Sequence, residues 1–227
     1  MHRLALAVAA SAVVLTGASA FAQDPPLPRV VADVHGIVPT FPNDSAQLAA
    51  SRFVADQNRS LLVTELPGAG LGGRAGVTVY LFRWKRITLG VGGEALVARS
   101  SSSPAVSMVT NADGSTTTLL AVNERLTSAD GQVSFNFGTA HGWSYISGGV
   151  GRSHWSIVPA GGAQTAPDTE SLPTTNYGGG AHWSIKRHLG FSLDVRVYEI
   201  QNGAPTAFGP GSPRTRLFVV GAGVFLK

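Results

Sequence analysis

The sequence predicts an all-β protein: one closed, antiparallel, up-and-down β-barrel of about eight strands that crosses a membrane. Three observations predict it. Apolar and polar residues alternate with a period of two in one segment after another. The connections between these segments are short and long by turns, as in barrels with tight periplasmic turns and longer external loops. Charged residues are only 13% of the 227, about half the roughly 25% of an ordinary soluble domain. Such a chain can turn an apolar face to lipid; it suits a compact helical enzyme poorly.

The elements follow in order. His2 and Arg3, the apolar run Leu4 to Leu15 and the Ala20-Phe21-Ala22 site read as a cleaved signal peptide over residues 1–22. Cleavage is expected after Ala22, or alternatively after Ala20. The apolar run is too short for a helix that spans a bilayer, which needs about 20 apolar residues. Residues 23–28 form a Pro-rich lead, and residues 29–227 the barrel domain. No later apolar run reaches spanning length, so a mature chain in a membrane must cross it as strands.

In the barrel domain, Val30, Ala32 and Val34 alternate with Val31, Asp33 and His35. Val77, Val79 and Leu81 alternate with Thr78, Tyr80 and Phe82; Ile87, Leu89 and Val91 with Thr88, Gly90 and Gly92. Val133, Phe135 and Phe137 form a further row, and Tyr177, Ala181, Trp183 and Ile185 another. Phe191-Ser192-Leu193-Asp194-Val195-Arg196-Val197 is the cleanest case, with its apolar residues on one face and Ser192, Asp194 and Arg196 on the other. Trp84-Lys85-Arg86, Gly138–Gly142 and Lys186–Gly190 are the short turns. Pro39–Gly72, Ser100–Leu126, Val158–Pro173 and Gln201–Pro213 are the long loops. Parity then requires an upward first strand near Arg29–Val38, which gives eight strands. Ser60–Leu66 is the alternative pairing segment for that first strand.

A barrel this small is filled by side chains and holds no water channel. Asp33, His35, Glu94, Asp130, Arg152, His154, His182, Asp194 and Arg196 are the polar candidates for its interior, and structural charge pairing is assigned to Glu94, Asp194, Arg196 and Arg152. Trp84, Trp143, Tyr145 and Trp183 lie beside the short turns, where an aromatic girdle meets the headgroups. The competing reading makes them core aromatics of a soluble β-sandwich.

Gly178-Gly179-Gly180-Ala181-His182-Trp183-Ser184-Ile185, the turn Lys186–Gly190 and the Asp194-x-Arg196 strand resemble the late hairpin of OmpA/OmpX-type small outer-membrane barrel domains. The resemblance covers roughly Arg29 to Lys227. It implies an outer-membrane location, insertion by the barrel assembly machinery, and contact with outer-membrane lipids and lipopolysaccharide. Members often end on an aromatic residue, whereas this chain ends Phe225-Leu226-Lys227.

Chemistry is sparse. There is no Cys, so no disulfide, thiolate metal site or Cys nucleophile. No His-Glu-x-x-His spacing and no phosphate-cradling Gly loop appears, and no cofactor is expected. A net charge of +4 without a Lys/Arg run argues against a nucleic-acid partner. Ser156 and His154 share a strand face and form a formal nucleophile–base pair with no identifiable acid; Ser153 falls on the other face. The leading expectation is a non-enzymatic envelope protein, structural or displaying its loops. The alternatives are a barrel enzyme acting on lipid A or other lipids, and a soluble periplasmic barrel that binds an apolar ligand.

Overall fold

The computed structural model describes residues 26–54, 57–104, 108–110, 112–160, 169–205, 207 and 209–227. The expected leader 1–22 and its cleavage site lie outside these residues, as does half of the third long loop. The strands are β1 (Val30–Thr40), β2 (Phe53–Val54), β3 (Arg59–Ser60), β4 (Leu71–Trp84), β5 (Ile87–Ser102), β6 (Met108–Thr110), β7 (Thr116–Thr118), β8 (Val122–Thr139), β9 (Gly142–Pro159), β10 (Thr169–Ser184), β11 (Leu189–Ile200) and β12 (Thr215–Leu226). Eight of them form one closed barrel in the order β1-β12-β11-β10-β9-β8-β5-β4, and β1 pairs with β4 to complete the ring. All the ladders are antiparallel, and chain neighbours among the eight are spatial neighbours, so the sheet has no free edge.

Strand 1 is the Arg29–Val38 segment in only slightly shifted form, and Ser60–Leu66 does not join the barrel. Ser60 pairs with Phe53 inside the first loop, and Val63–Glu65 is a single 3-10 turn. The same loop holds a short helix, α1 (Ala46–Ala50), whose first turn is capped by Ser45 accepting from the Leu48 amide at 3.1 Å. The second long loop is shorter than the sequence suggests, because β5 runs on to Ser102 and β8 starts at Val122; β6 and β7 make a small hairpin between them.

Facing follows parity except at the bulge on β4, where Leu81 and Phe82 both face outward, so that Phe82 departs from the inward face its alternation with Leu81 predicts. Along β11, Phe191, Leu193 and Val195 lie on the outer wall, while Ser192, Asp194 and Arg196 are buried inside. Strand β9 corrects the sequence reading. Trp143 and Tyr145 point inward, and Arg152 and His154 point outward. Residues opposite each other on a ladder share a face. Phe135 opposes Ile146 and Asn136 opposes Tyr145, so the clear phase of β8 carries Ile146 out and Tyr145 in. One choice of phase governs all four residues.

Candidate functional site

The barrel interior at mid-height is a charged network. Arg74 on β4 and Arg196 on β11 alternate with Glu94 on β5 and Asp194 on β11. Arg74 Nη1 meets Asp194 Oδ1 at 2.5 Å and Glu94 Oε2 at 3.8 Å. Arg196 meets Glu94 Oε2 at 3.7 Å and Asp194 Oδ2 at 3.3 Å. Two positive and two negative side chains therefore pair within one buried site, with a further carboxyl, Asp130 on β8, opposite Glu94 and accepting from Ser128 at 2.7 Å. Tyr145 donates to Asp194 at 2.5 Å and Tyr198 to Glu94 at 2.6 Å. Arg196 also donates to Gln132, Asn176 and Ser147 at 2.7–2.9 Å. Unpaired, each buried charge would cost several kcal/mol; here each of the four has opposite charge and hydrogen bonds around it. Space for this network comes in part from Gly180 on β10, where a Cβ would lie 2.8 Å from the Tyr145 hydroxyl.

Three of the four residues assigned to lumen pairing, Glu94, Asp194 and Arg196, meet here. The fourth, Arg152, does not. It sits on the outer wall, with its guanidinium 3.5 Å from the Ser171 carbonyl. Its place is taken by Arg74, which the sequence reading missed. The signal was present: continuing the outward row Val77, Val79 and Leu81 back through Ala75 and Gly73 puts Arg74 inside.

Toward the short turns, His35 Nε2 lies 2.8 Å from Ser192 Oγ and His35 Nδ1 3.1 Å from Asp33 Oδ1. This has the order of a Ser–His–Asp chain. Access argues against nucleophilic use. Ser192 and His35 are fully buried. Arg74 Nη2 also lies 3.2 Å from His35 Nδ1. Asp33, which accepts, and Arg74, which donates, therefore share one ring nitrogen and hold the buried imidazole in place. His182 is buried nearby, stacked on Trp143 at 4.7 Å and edge-on to Phe225 at 4.6 Å. The space left among Asp33, Arg74, Tyr80, Glu94, His182 and Arg196 is about 40 Å³, room for roughly three waters and no more.

Above the network the interior becomes apolar. Leu96, Leu126, Trp155, Tyr198 and Leu217 from the barrel pack with Phe41, Leu48, Val54 and Leu61 from the first loop. The loop thus folds over the mouth and closes it. Its anchors are polar. Arg52 is buried, lies 5.3 Å over the Trp155 ring, donates to Ser212 at 2.7 Å and pairs with Glu170 at 3.0 Å. Trp155 in turn donates to Glu124 at 2.6 Å. Arg59 makes a two-pronged pair with Glu65 at 2.7 and 2.9 Å and donates to the Thr118 carbonyl at 2.9 Å. Glu65 also accepts the Leu62 and Leu120 amides, each at 2.7 Å. Burial alone would raise the Glu65 carboxyl pKa; Arg59 and the two amides outweigh it and hold the group below its ordinary 4.5. These contacts bind the first loop to the second.

Of the four girdle candidates, Trp84 and Trp183 lie exposed on the outer wall near the short turns, and Trp183 stacks on Phe191 at 4.9 Å. Trp143 and Tyr145 are interior residues. Trp143 donates to the Tyr80 hydroxyl at 3.2 Å. His154 and Ser156 line a groove on the outer wall, and Ser153 is buried inside. The one acid lining that groove, Glu124, holds its carboxylate toward Trp155 on the inner side. Among the described residues no group of three or more His, Asp or Glu is placed to hold a metal ion.

No family model matches the chain. No curated protein matches it either. Among solved structures it is similar to Neisserial surface protein A, at 13% identity over 87% of this chain and 95% of that one, with a TM-score of 0.49. It is similar to Ail, the attachment invasion locus protein of Yersinia pestis, at 11% identity over 86% and 97%, with a TM-score of 0.48. The outer membrane protease OmpT from Escherichia coli stands at 7% over 87% and 96%, also with a TM-score of 0.48. Likeness this distant carries nothing about activity, and the closed barrel rests on this chain's own strand register.

Proposed function

We propose that the chain is a non-enzymatic outer-membrane barrel, exported by its leader, with its short turns in the periplasm and its capped mouth outside. The observation that carries this reading is an inversion of polarity. Every barrel strand exposes apolar side chains on the outer wall, among them Val34, Val79, Phe135, Ile146, Val195 and Phe218, around a charged interior. A soluble barrel holding an apolar ligand would carry these rows inside; in water the wall would be one continuous sticky surface. In hydrocarbon the same wall is favoured, and a closed ladder leaves no edge unpaired. Trp84 and Trp183, with Phe82 and Phe137 on the same side, fit a headgroup girdle at the short-turn end.

Within the envelope, the tied-down first and second loops form a folded outer platform. That supports a structural role or contact through the loop surface, with outer-membrane lipids, lipopolysaccharide and the barrel assembly machinery as partners. The enzymatic alternative rests on His154 and Ser156, which lack an outward-facing acid among the described residues of the neighbouring strands. Fractionation with an unheated gel tests the reading. The chain is expected in the outer-membrane fraction, migrating differently before and after boiling, and His154→Ala is expected to leave lipid hydrolysis at its zero baseline. A monodisperse chain in buffer without detergent overturns the membrane assignment. Lipid hydrolysis abolished by His154→Ala overturns the non-enzymatic one.

A further inference from the structure

The outer wall carries one electrostatic anomaly. Arg99 on β5 and Arg125 on β8 are direct cross-strand partners, and both are exposed on the outside. Like charges placed directly opposite each other on a sheet repel. Elsewhere on the same rim the chain avoids this. Arg216 on β12 is opposite Glu199 on β11 and bonds it at 2.8 Å, and Arg214 joins the same carboxylate at 2.5 Å. Among the described residues Arg99 and Arg125 have no such acid. Instead, the next strand adds more positive and neutral donors on the same face: His154, two positions along from the residue opposite Arg125, and Arg152 beyond it. Arg99, Arg125 and His154 line one open groove of about 1040 Å³.

The wall beneath is equally distinctive. Going down the same two strands, Ala95 opposes Ala129 and Gly93 opposes Gly131. Ala75 on β4 with Gly93, Ala95 and Ala129 lines a shallow trough of about 700 Å³, bordered by Val34 and Val77. An anion alone would use only the arginines; a bare acyl chain would use only the trough.

We propose that Arg99 and Arg125 clamp a phosphate of an acylated, phosphorylated membrane lipid, with an acyl chain lying in the Ala/Gly trough below. This rests on the membrane reading above. Paired guanidinium groups suit a phosphate because they offer several donors in fixed geometry. The ligand also explains why two arginines face each other across a ladder: the phosphate supplies the charge that Glu199 supplies to Arg216. His154, which lines the same groove, widens the contact to a second anionic oxygen.

The test uses the mature full chain folded in detergent, with diphosphorylated lipid A, its dephosphorylated form and inorganic phosphate as probes, read by native mass spectrometry. Wild type is expected to hold diphosphorylated lipid A about tenfold more tightly than Arg99→Gln/Arg125→Gln. Arg216→Gln is expected to bind like wild type. Removing the phosphates should cost wild type the same factor and the double variant nothing. Unheated gel migration confirms that each variant is folded. Equal lipid binding by the double variant overturns the clamp, and displacement of the lipid by equimolar inorganic phosphate overturns the acyl trough. A wild-type chain that stays out of liposomes defeats the membrane reading instead; one that inserts but ignores phosphate defeats only this site.

Discussion

The middle of the barrel and its mouth are filled in opposite ways by the same strands. On β11 the inward residues run Asp194, Arg196, Tyr198, Ile200; on β5 they run Glu94, Leu96, Ala98. The polarity of the filling changes along each strand while the parity does not. At mid-height the interior is closed by charges contributed wholly by barrel strands. At the mouth it is closed by apolar residues, a third of them brought in by the first loop. This small barrel therefore has two plugs, which meet at Tyr198. One is bound into the ladder. The other is a folded loop that can be loosened without opening the sheet.

Breaking the charged plug should have the largest effect. Arg74→Leu leaves Asp194 and Glu94 facing each other with only Arg196 between them, and is expected to cost about 3–5 kcal/mol. The urea midpoint of the folded gel band in detergent measures this. Arg74→Leu/Asp194→Leu removes the orphaned charge along with its partner and is expected to recover a large part of that loss. A double variant no better than the sum of the single ones would mean that the four groups fill space without acting as a charge network.

The apolar plug should respond differently. Leu48, on α1, is fully buried under the mouth, and Leu48→Ala is expected to cost about 2–4 kcal/mol of local stability by cavity formation. Because the first loop lies outside the barrel ladder, the urea midpoint should barely move, while protease cuts within residues 41–66 appear at lower enzyme concentration. Equal losses in both measurements would show that the loop and the ladder unfold together.

The two plugs also differ in how far they could be read from the sequence. Strand identity, strand number and the short–long rhythm of the connections depend on local patterns and stand in the sequence directly. So do Glu94, Asp194 and Arg196, which sit in strands of clear alternation. Arg74 is legible only by extending the phase of Val77, Val79 and Leu81 back through Ala75 and Gly73, because its immediate neighbours Gly73, Ala75 and Gly76 carry no large apolar side chain. β9 was hidden for the same reason: Ser147-Gly148-Gly149-Val150-Gly151 leaves both faces looking alike. There the ladder with β8 decides, and pairing is a non-local fact. Trp143 outside and Arg152 inside go together by parity, and the ladder with β8 reverses both. The mouth was the least legible region. Phe41, Leu48 and Leu61 belong to no periodic segment, and their burial follows from the loop folding back over the barrel.

The clasp between the first and second loops gives the smallest effect and the sharpest control. Glu65 titrates below its ordinary 4.5 because Arg59 and the amides of Leu62 and Leu120 favour the charged form more strongly than burial opposes it. A carboxyl with a depressed folded pKa binds its proton more weakly in the clasped loop than in the loosened one. Its contribution is therefore complete at neutral pH, begins to fade near the ordinary carboxyl value, and is lost as pH falls through the lower folded one. Wild type should show proteolysis of the first loop rising in acid, read with an acid-active protease, with the gel-resolved barrel intact. Glu65→Gln should lose about 1–2 kcal/mol of loop stability at neutral pH, and its cleavage should no longer depend on pH in that window. If the barrel and the loop loosen together in acid, the lumen carboxylates are titrating as well, and the separation of the two plugs fails.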